Sequence, residues 1–182
     1  MKIDQQKFIV NGKTYMIRSA VHEDANDLSE IRLQIDGETE NLDREKGEAF
    51  IDVQGFEQLI QTDTESKKNR FLVAVIDDKI VGFSRCEGNR LKRFAHKVEF
   101  GVCVLKDYWG YGIGKNLLKE SIRWADANEV KKITLNVLET NEKAIQLYEK
   151  FGFKKEGILE NDKVLSDGKY YNTVVMGRFN DR

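Results

Sequence analysis

Gly110, Gly112 and Gly114 fall within the run Tyr108-Trp109-Gly110-Tyr111-Gly112-Ile113-Gly114, where a strand-like segment gives way to an amphipathic helix. Glycines at this density let a backbone turn sharply and approach a ligand without Cβ clashes. Set just before a helix, they leave several backbone N–H groups without intrahelical partners. Such a turn cradles an anion, and phosphate is its commonest occupant. The run therefore demands a strand on one side, a helix on the other, and a reason to keep side chains away between them.

The flanks supply both elements. Residues 98–105 read as the strand. Beyond the turn, Ile113, Leu117, Leu118, Ser121, Ile122 and Ala125 recur on one helical face, turning Lys115, Lys119, Glu120 and Arg123 toward water. Upstream, residues 14–18 alternate like a strand, and Ala25, Leu28, Ile31, Leu33 and Ile35 form a rough helical stripe. The acidic residues 37–48 read as a loop. Phe56, Leu59 and Ile60 mark a second short helix, closed by the polar residues 62–69.

Residues 71–76 and 80–84 pair around Asp77-Asp78-Lys79. Downstream lie a strand at 133–138 and an amphipathic helix at 141–151, ended by Gly152. Closing strands at 153–165 and 170–179 flank Ser166-Asp167-Gly168. A strand–helix–strand–helix core between antiparallel ends predicts an α+β fold on one mixed sheet. No repeat or linker interrupts residues 1–182, which read as one domain.

Composition narrows the function classes. At 40% hydrophobic and 34% charged, this is an ordinary globular mix. A net charge of −1, with Lys67-Lys68 and Lys131-Lys132 only as basic pairs, gives no footing for a nucleic-acid partner. The first seven residues lack the apolar core of a signal peptide, and no run of about 18 apolar residues exists. A cytoplasmic protein without membrane contact is expected. Cys86 and Cys103 lie in apolar strands and read as two buried thiols. Neither has a His or carboxylate at metal-ligand spacing, so no metal is expected. With no proline, turns fall to Gly, Asn and Asp.

Residues 102–107 together with the glycine run resemble the cofactor segment of the GNAT superfamily of N-acetyltransferases. A second segment, Asn141-Glu142-Lys143-Ala144-Ile145-Gln146-Leu147-Tyr148-Glu149-Lys150-Phe151-Gly152-Phe153, resembles that family's following helix. The two segments come in the family's order and span about 50 residues. Weaker likeness runs from Glu156 through Asp167-Gly168-Lys169-Tyr170 to Met176, and back through Ile80-Val81-Gly82-Phe83.

The resemblance implies a GNAT-like acyl-CoA N-acyltransferase fold: a mostly antiparallel mixed sheet flanked by helices, with two parallel strands splayed around acetyl-CoA. Free backbone groups of Val102, Cys103 and Val104 would pair with the pantetheine amides. Backbone N–H groups of Trp109, Gly110, Tyr111, Gly112, Ile113, Gly114 and Lys115 would hold the pyrophosphate at the positive end of a helix. Asn141 would touch pantetheine, and Tyr148 would sit near the sulfur. Seven residues apart, these two share a helix face about 10 Å apart along the axis. Read as residues alone, Asn141 serves equally as a helix cap and Tyr148 as a core aromatic. Lys115 and Lys119 serve as rim charges or as a solvated face.

An alkyl amine has a reference pKa near 10.4, so fewer than about one in a thousand molecules is nucleophilic at pH 7. A base must take its proton before nitrogen attacks the thioester. Glu99 is the candidate: it resembles the strand carboxylate in the Glu-x-Gly segments of several members. Alternation places it on one side with Gly101 and Cys103, opposite Phe100 and Val102. An ordinary salt-bridged strand residue is the other reading. Tyr148 is the family's usual acid at the leaving thiolate. Full transfer from a phenol near 10 to a thiol near 8.5 is uphill by about 2 kcal/mol. A donated hydrogen bond avoids that cost.

Two positions depart from the common pattern. Trp109 stands where Gln or Arg is usual, a start resembling the ribosomal-protein and polyamine N-acetyltransferase branches. Asn136 stands where some N-terminal acetyltransferases carry a catalytic Glu. The expected reaction is acetyl transfer from acetyl-CoA to a primary amine by direct attack, on a small acceptor such as a polyamine or amino compound. The polyamine reading rests on the ending from Asp167 to Met176. Glu38, Glu40, Asp43, Glu45 and Glu48 either attract a polycation or are merely solvated. The alternatives are a protein or ribosomal-protein N-terminal acetyltransferase and a non-catalytic acyl-CoA-binding module. Family members are often dimers, and the strand-rich C terminus is a candidate for pairing across a two-fold.

Overall fold

In the computed structural model, which describes residues 5–182, the chain opens with a hairpin. β1 (Gln6–Val10) and β2 (Lys13–Ser19) turn at Asn11-Gly12, with φ of 49° and 75°. Positive φ at both turn residues is what Asn-Gly encodes. The sequence pattern identifies only the second of these strands, because the apolar run at residues 8–10 is too short to show a period. The leader reading rests partly on residues 1–4, which lie outside the described residues.

α1 (Ala25–Asp36) and α2 (Val53–Glu65) follow. Asp52 caps α2 by accepting from the Gly55 N–H at 2.8 Å. Leu33 lies off the buried stripe of α1, which runs through Ala25, Leu28, Ile31 and Ile35. α2 also runs further than its apolar residues suggest, into the polar stretch at 62–65. β3 (Arg70–Ile76) and β4 (Lys79–Gly88) form a second hairpin, with Asp77 and Asp78 at φ 48° and 61°. Next come β5 (Lys97–Val104), α3 (Ile113–Ala127), β6 (Lys132–Leu138), α4 (Glu142–Lys150), β7 (Lys154–Val164) and β8 (Tyr170–Phe179).

The eight strands form one mixed sheet in the order β1-β2-β3-β4-β5-β6-β8-β7, antiparallel except at β5–β6. That single parallel pair is short. It runs only from Lys97↔Lys132 to Glu99↔Thr134. Beyond it, β5 stays with β4 as far as Gly82↔Val104, while β6 stays with β8 as far as Leu138↔Thr173. The sheet therefore splits, leaving residues 100–104 of β5 and 135–138 of β6 unpaired with each other.

Apolar side chains cover both faces. Leu118, Ile122 and Trp124 of α3 and Ile145 of α4 pack with Val98, Phe100, Ile133 and Leu135. On the other face, Leu28, Ile31 and Ile35 pack with Phe56, Phe71 and Val73, and Cys103 joins at the edge. β5 thus alternates as expected, with Glu99, Gly101 and Cys103 on the α1 side. Glu120 departs from expectation: it is buried, 4% exposed, with Arg123 Nη1 at 3.1 Å. A carboxylate with a cation one turn away tolerates a partly core-facing position. Both cysteines are free thiols. Among the described residues, no helix is long and apolar enough to cross a membrane.

Candidate active site

The split in the sheet opens into a cleft of about 630 Å³, within the range of roughly 300–1,000 Å³ usual for ligand sites. It runs from the glycine turn, past β5 and α4, to the loop after α1. Of the residues singled out in the sequence, Glu99, Val102, Cys103, Val104, Trp109, Gly110, Gly112, Ile113, Gly114, Lys115, Asn141 and Tyr148 all line it. The Tyr111 side chain does not. Its ring packs against the cluster around Tyr15 and Ile17 of the hairpin, with Lys13 Nζ 5.3 Å from its centroid.

At the glycine end, Gly110 and Gly112 adopt φ of 86° and 70°, a region that L side chains enter at a cost. The first helical hydrogen bond of α3 runs from Asn116 N–H to Gly112 O at 2.9 Å. No described group accepts from the backbone N–H groups of residues 110–115. These donors lie at the positive end of a 15-residue helix, the polarity that suits an anion. Gly114 is different: its φ is ordinary, and an added Cβ would meet only Val104 Cγ2 at 3.9 Å. Here the glycine leaves room rather than conformational freedom. Trp109, 46% exposed, donates its indole N–H to Val104 O at 2.9 Å. One carbonyl of the open β5 edge is therefore already engaged.

α4 flanks the middle of the cleft. Asn141 stands at its N-cap, yet its side chain makes no capping bond and its amide has no partner among the described residues. Tyr148 lies about two turns further along the same helix face, 8% exposed, its ring 5.7 Å from that of Phe153. Its hydroxyl has no described partner, and burial pushes the phenol up to about 12. Burial likewise pushes both thiols up to about 12, so Cys103 lines the wall as a neutral group. Glu99 sits at the vertex of the split, on the last residue pair of the parallel ladder, exposed and without a described cation in ion-pair range.

The far end carries two guanidinium groups that no sequence pattern announces. Arg44 holds Asp36 through Nε and Nη2 at 3.0 and 3.1 Å. Arg85 holds Asp63 at 2.6 and 2.9 Å and Glu87 at 2.9 Å. The two aspartate side chains are 2% and 1% exposed. Each buried carboxylate fixes a guanidinium at the cleft wall, and the partners lie 8 and 22 residues apart, beyond any local period. The acidic loop is also more engaged than its composition suggests. Glu38 accepts from the Lys106 N–H at 2.7 Å and Glu40 from the Ser166 N–H at 2.9 Å, while Asp43 pairs with Lys163. No cluster of metal-ligating side chains occurs among the described residues.

A mixed sheet split at its one parallel pair, beside a turn of unpaired N–H groups, defines the acyl-CoA N-acyltransferase class of fold. The chain belongs to the acetyltransferase (GNAT) family, whose sequence profile matches residues 36–153. A GNAT-family acetyltransferase from Streptococcus pneumoniae superposes with a TM-score of 0.88 at 28% identity, covering 91% of this chain and 99% of that one. The L-amino acid N-acetyltransferase AaaT of Escherichia coli is 33% identical over 108 residues, 59% of this chain and 66% of that protein. The spermidine N(1)-acetyltransferase of the same organism is 28% identical over 131 residues, 71% of this chain and 67% of that protein.

Proposed function

We propose that the chain, acting as one domain, transfers an acetyl group from acetyl-CoA to the primary amine of a small acceptor. The amine attacks the thioester directly. One observation carries the reading: a single cleft joins the unpaired N–H groups at the start of α3, the unpaired β5 edge, Tyr148 and Glu99. Bound acetyl-CoA supplies the activated acyl group, and the chain's residues do the rest. The turn from Gly110 to Lys115 binds the pyrophosphate, the Trp109 N–H being already donated to Lys106 O at 3.1 Å. Backbone groups of Val102, with the free amide of Asn141, hold the pantetheine arm, while those of Cys103 face β4. Val104 contributes with its N–H side and its wall, since its carbonyl takes the Trp109 indole.

Glu99 accepts the proton of the acceptor ammonium, directly or through water. Tyr148 donates a hydrogen bond to the sulfur as charge develops there. Complete transfer from a phenol at about 12 to a thiolate of ordinary pKa 8.5 would be uphill by about 5 kcal/mol. Stabilisation without transfer is therefore the role that fits its environment.

Arg44 at the acceptor end, with Nη1 outside its pair with Asp36, favours an amine that also carries an anionic group, of which an amino acid is the simplest; Arg85 is already matched by Asp63 and Glu87. A guanidinium held by a buried carboxylate is preorganised to meet a further carboxylate. The amino acid acceptor in the name of the Escherichia coli relative agrees with this, whereas three carboxylates of the acidic loop are committed to protein partners. CoA-thiol release measured with amino acids, their amides, spermidine and an alanyl peptide tests the reading. Faster release with amino acids than with their amides is expected. Turnover of spermidine alone would reverse the acceptor assignment, and no release with any amine would leave only an acyl-CoA-binding module.

A further inference from the structure

The glycine turn does not hold its shape alone. Asn11, in the turn of the β1–β2 hairpin, donates from Nδ2 to Gly110 O at 3.0 Å. Tyr15 of β2, fully buried, donates its hydroxyl to Tyr111 O at 3.1 Å. Asn116 Nδ2 donates to that same hydroxyl at 2.6 Å, leaving the Tyr15 proton for Tyr111 O. Burial pushes the Tyr15 phenol up, so it remains a neutral donor. The next carbonyl, Gly112 O, accepts from the Asn116 N–H at 2.9 Å.

Three consecutive peptide planes are thus anchored by their carbonyl oxygens. A trans peptide is planar, and its C=O and N–H point in opposite directions. Anchoring Gly110 O toward Asn11 therefore turns the Tyr111 N–H away from the hairpin. Anchoring Tyr111 O toward the buried Tyr15 turns the Gly112 N–H away from the core, and anchoring Gly112 O does the same for the Ile113 N–H. This also explains why Tyr111 belongs to the anion site although its ring faces the hairpin. Gly112 offers no alternative anchor: at φ 70° its conformation is otherwise unrestrained, and the nearest atom to a Cβ there is the Tyr15 hydroxyl at 3.7 Å.

We propose that Asn11 and Tyr15 are positioning residues for pyrophosphate recognition, acting through the carbonyls they hold. The inference rests on the acetyl-CoA reading of the cleft. Neither residue touches the ligand. They are 99 and 96 residues from the carbonyls they hold, on a hairpin at the edge of the sheet, and lie outside the matched stretch at 36–153.

The test compares ligands with and without the pyrophosphate. Calorimetric binding of CoA and of pantetheine is measured for the wild type, Tyr15→Phe and Asn11→Gly. Turnover is then followed with acetyl-CoA and S-acetylpantetheine. Asn11→Gly keeps a turn residue suited to φ 49° while removing the amide. Each variant is expected to weaken CoA binding about five- to tenfold. Pantetheine binding, turnover of S-acetylpantetheine and kcat with acetyl-CoA should stay within about twofold. Equal losses for both ligands would reduce the contacts to general structural support, and unchanged CoA binding would refute the positioning role. Wild-type CoA binding without turnover on any amine would overturn the transferase reading while leaving this inference tested. Absence of wild-type CoA binding would overturn both.

Discussion

Replacing Tyr148 by Phe removes one hydroxyl and little else. The ring keeps its place 5.7 Å from Phe153, and the lost oxygen has no described partner. An unpaired hydroxyl that opens into the cleft contributes nothing to folding, so the variant should melt no lower than the wild type. In the proposed reaction the same oxygen would face a developing thiolate. A hydrogen bond to a charged group in a buried setting is worth about 1.5–3 kcal/mol, so kcat should fall roughly 10- to 100-fold. KM for acetyl-CoA and the affinity for CoA should barely move, because the interaction strengthens only as the C–S bond breaks.

The pH dependence separates a hydrogen-bond donor from a titrating acid. Burial raises the phenol to about 12, so it stays protonated throughout a practical assay range. The ratio of wild-type to variant kcat should therefore be constant from about pH 6 to pH 10. An acid at the ordinary phenol value near 10 would make that ratio shrink toward the upper limit. Thiol release followed with a chromogenic disulfide at saturating acceptor gives the ratio directly. Undiminished turnover in Tyr148→Phe would refute the assignment, as would parallel losses in CoA affinity and kcat.

Four further outcomes are expected. Glu99→Gln should lower kcat/KM for the acceptor by about 10² to 10⁴ near neutral pH. The deficit should narrow as pH approaches the amine's own pKa, and a pH-independent deficit would argue against a base. Gly112→Ala should lower stability by about 1–2 kcal/mol, from φ 70°, whereas Gly114→Ala should leave the melting temperature alone and raise KM for acetyl-CoA. Equal thermal losses in the two would contradict their different backbone roles. Arg44→Met strands Asp36, whose side chain is 2% exposed, and should cost about 3–5 kcal/mol in denaturant titration. Arg44→Lys should restore most of that stability while still weakening carboxylate-bearing acceptors. Finally, the Cys86 and Cys103 thiols shift from 9.0 to about 12, and the Tyr148 phenol from 10.0 to about 12. The unfolded chain releases these protons first, so stability present below about pH 9 should be lost as pH rises through 12. A urea midpoint that does not fall between pH 8 and pH 10.5 would contradict this.

The parts of the site that are legible in the sequence are those made by local geometry. The glycine turn, the helix after it and the Asn141–Tyr148 face each follow from spacings of a few residues, and alternation alone places Glu99 opposite Phe100. What is not legible is made by distant pairs of ordinary residues. Asp36 and Asp63 look like solvated helix ends until Arg44 and Arg85 are seen upon them. The carboxylates at 37–48 look free because nothing local reveals that Glu38 and Glu40 accept from the backbone of Lys106 and Ser166. The Asn11-Gly12 hairpin is the instructive case. Its strand is too short to register as a period, yet its first residue and Tyr15 hold two carbonyls of the turn. A glycine turn needs such outside anchors because glycine supplies the permitted conformation without selecting it. In this chain the freedom lies in Gly110 and Gly112, and the selection comes from side chains about a hundred residues earlier.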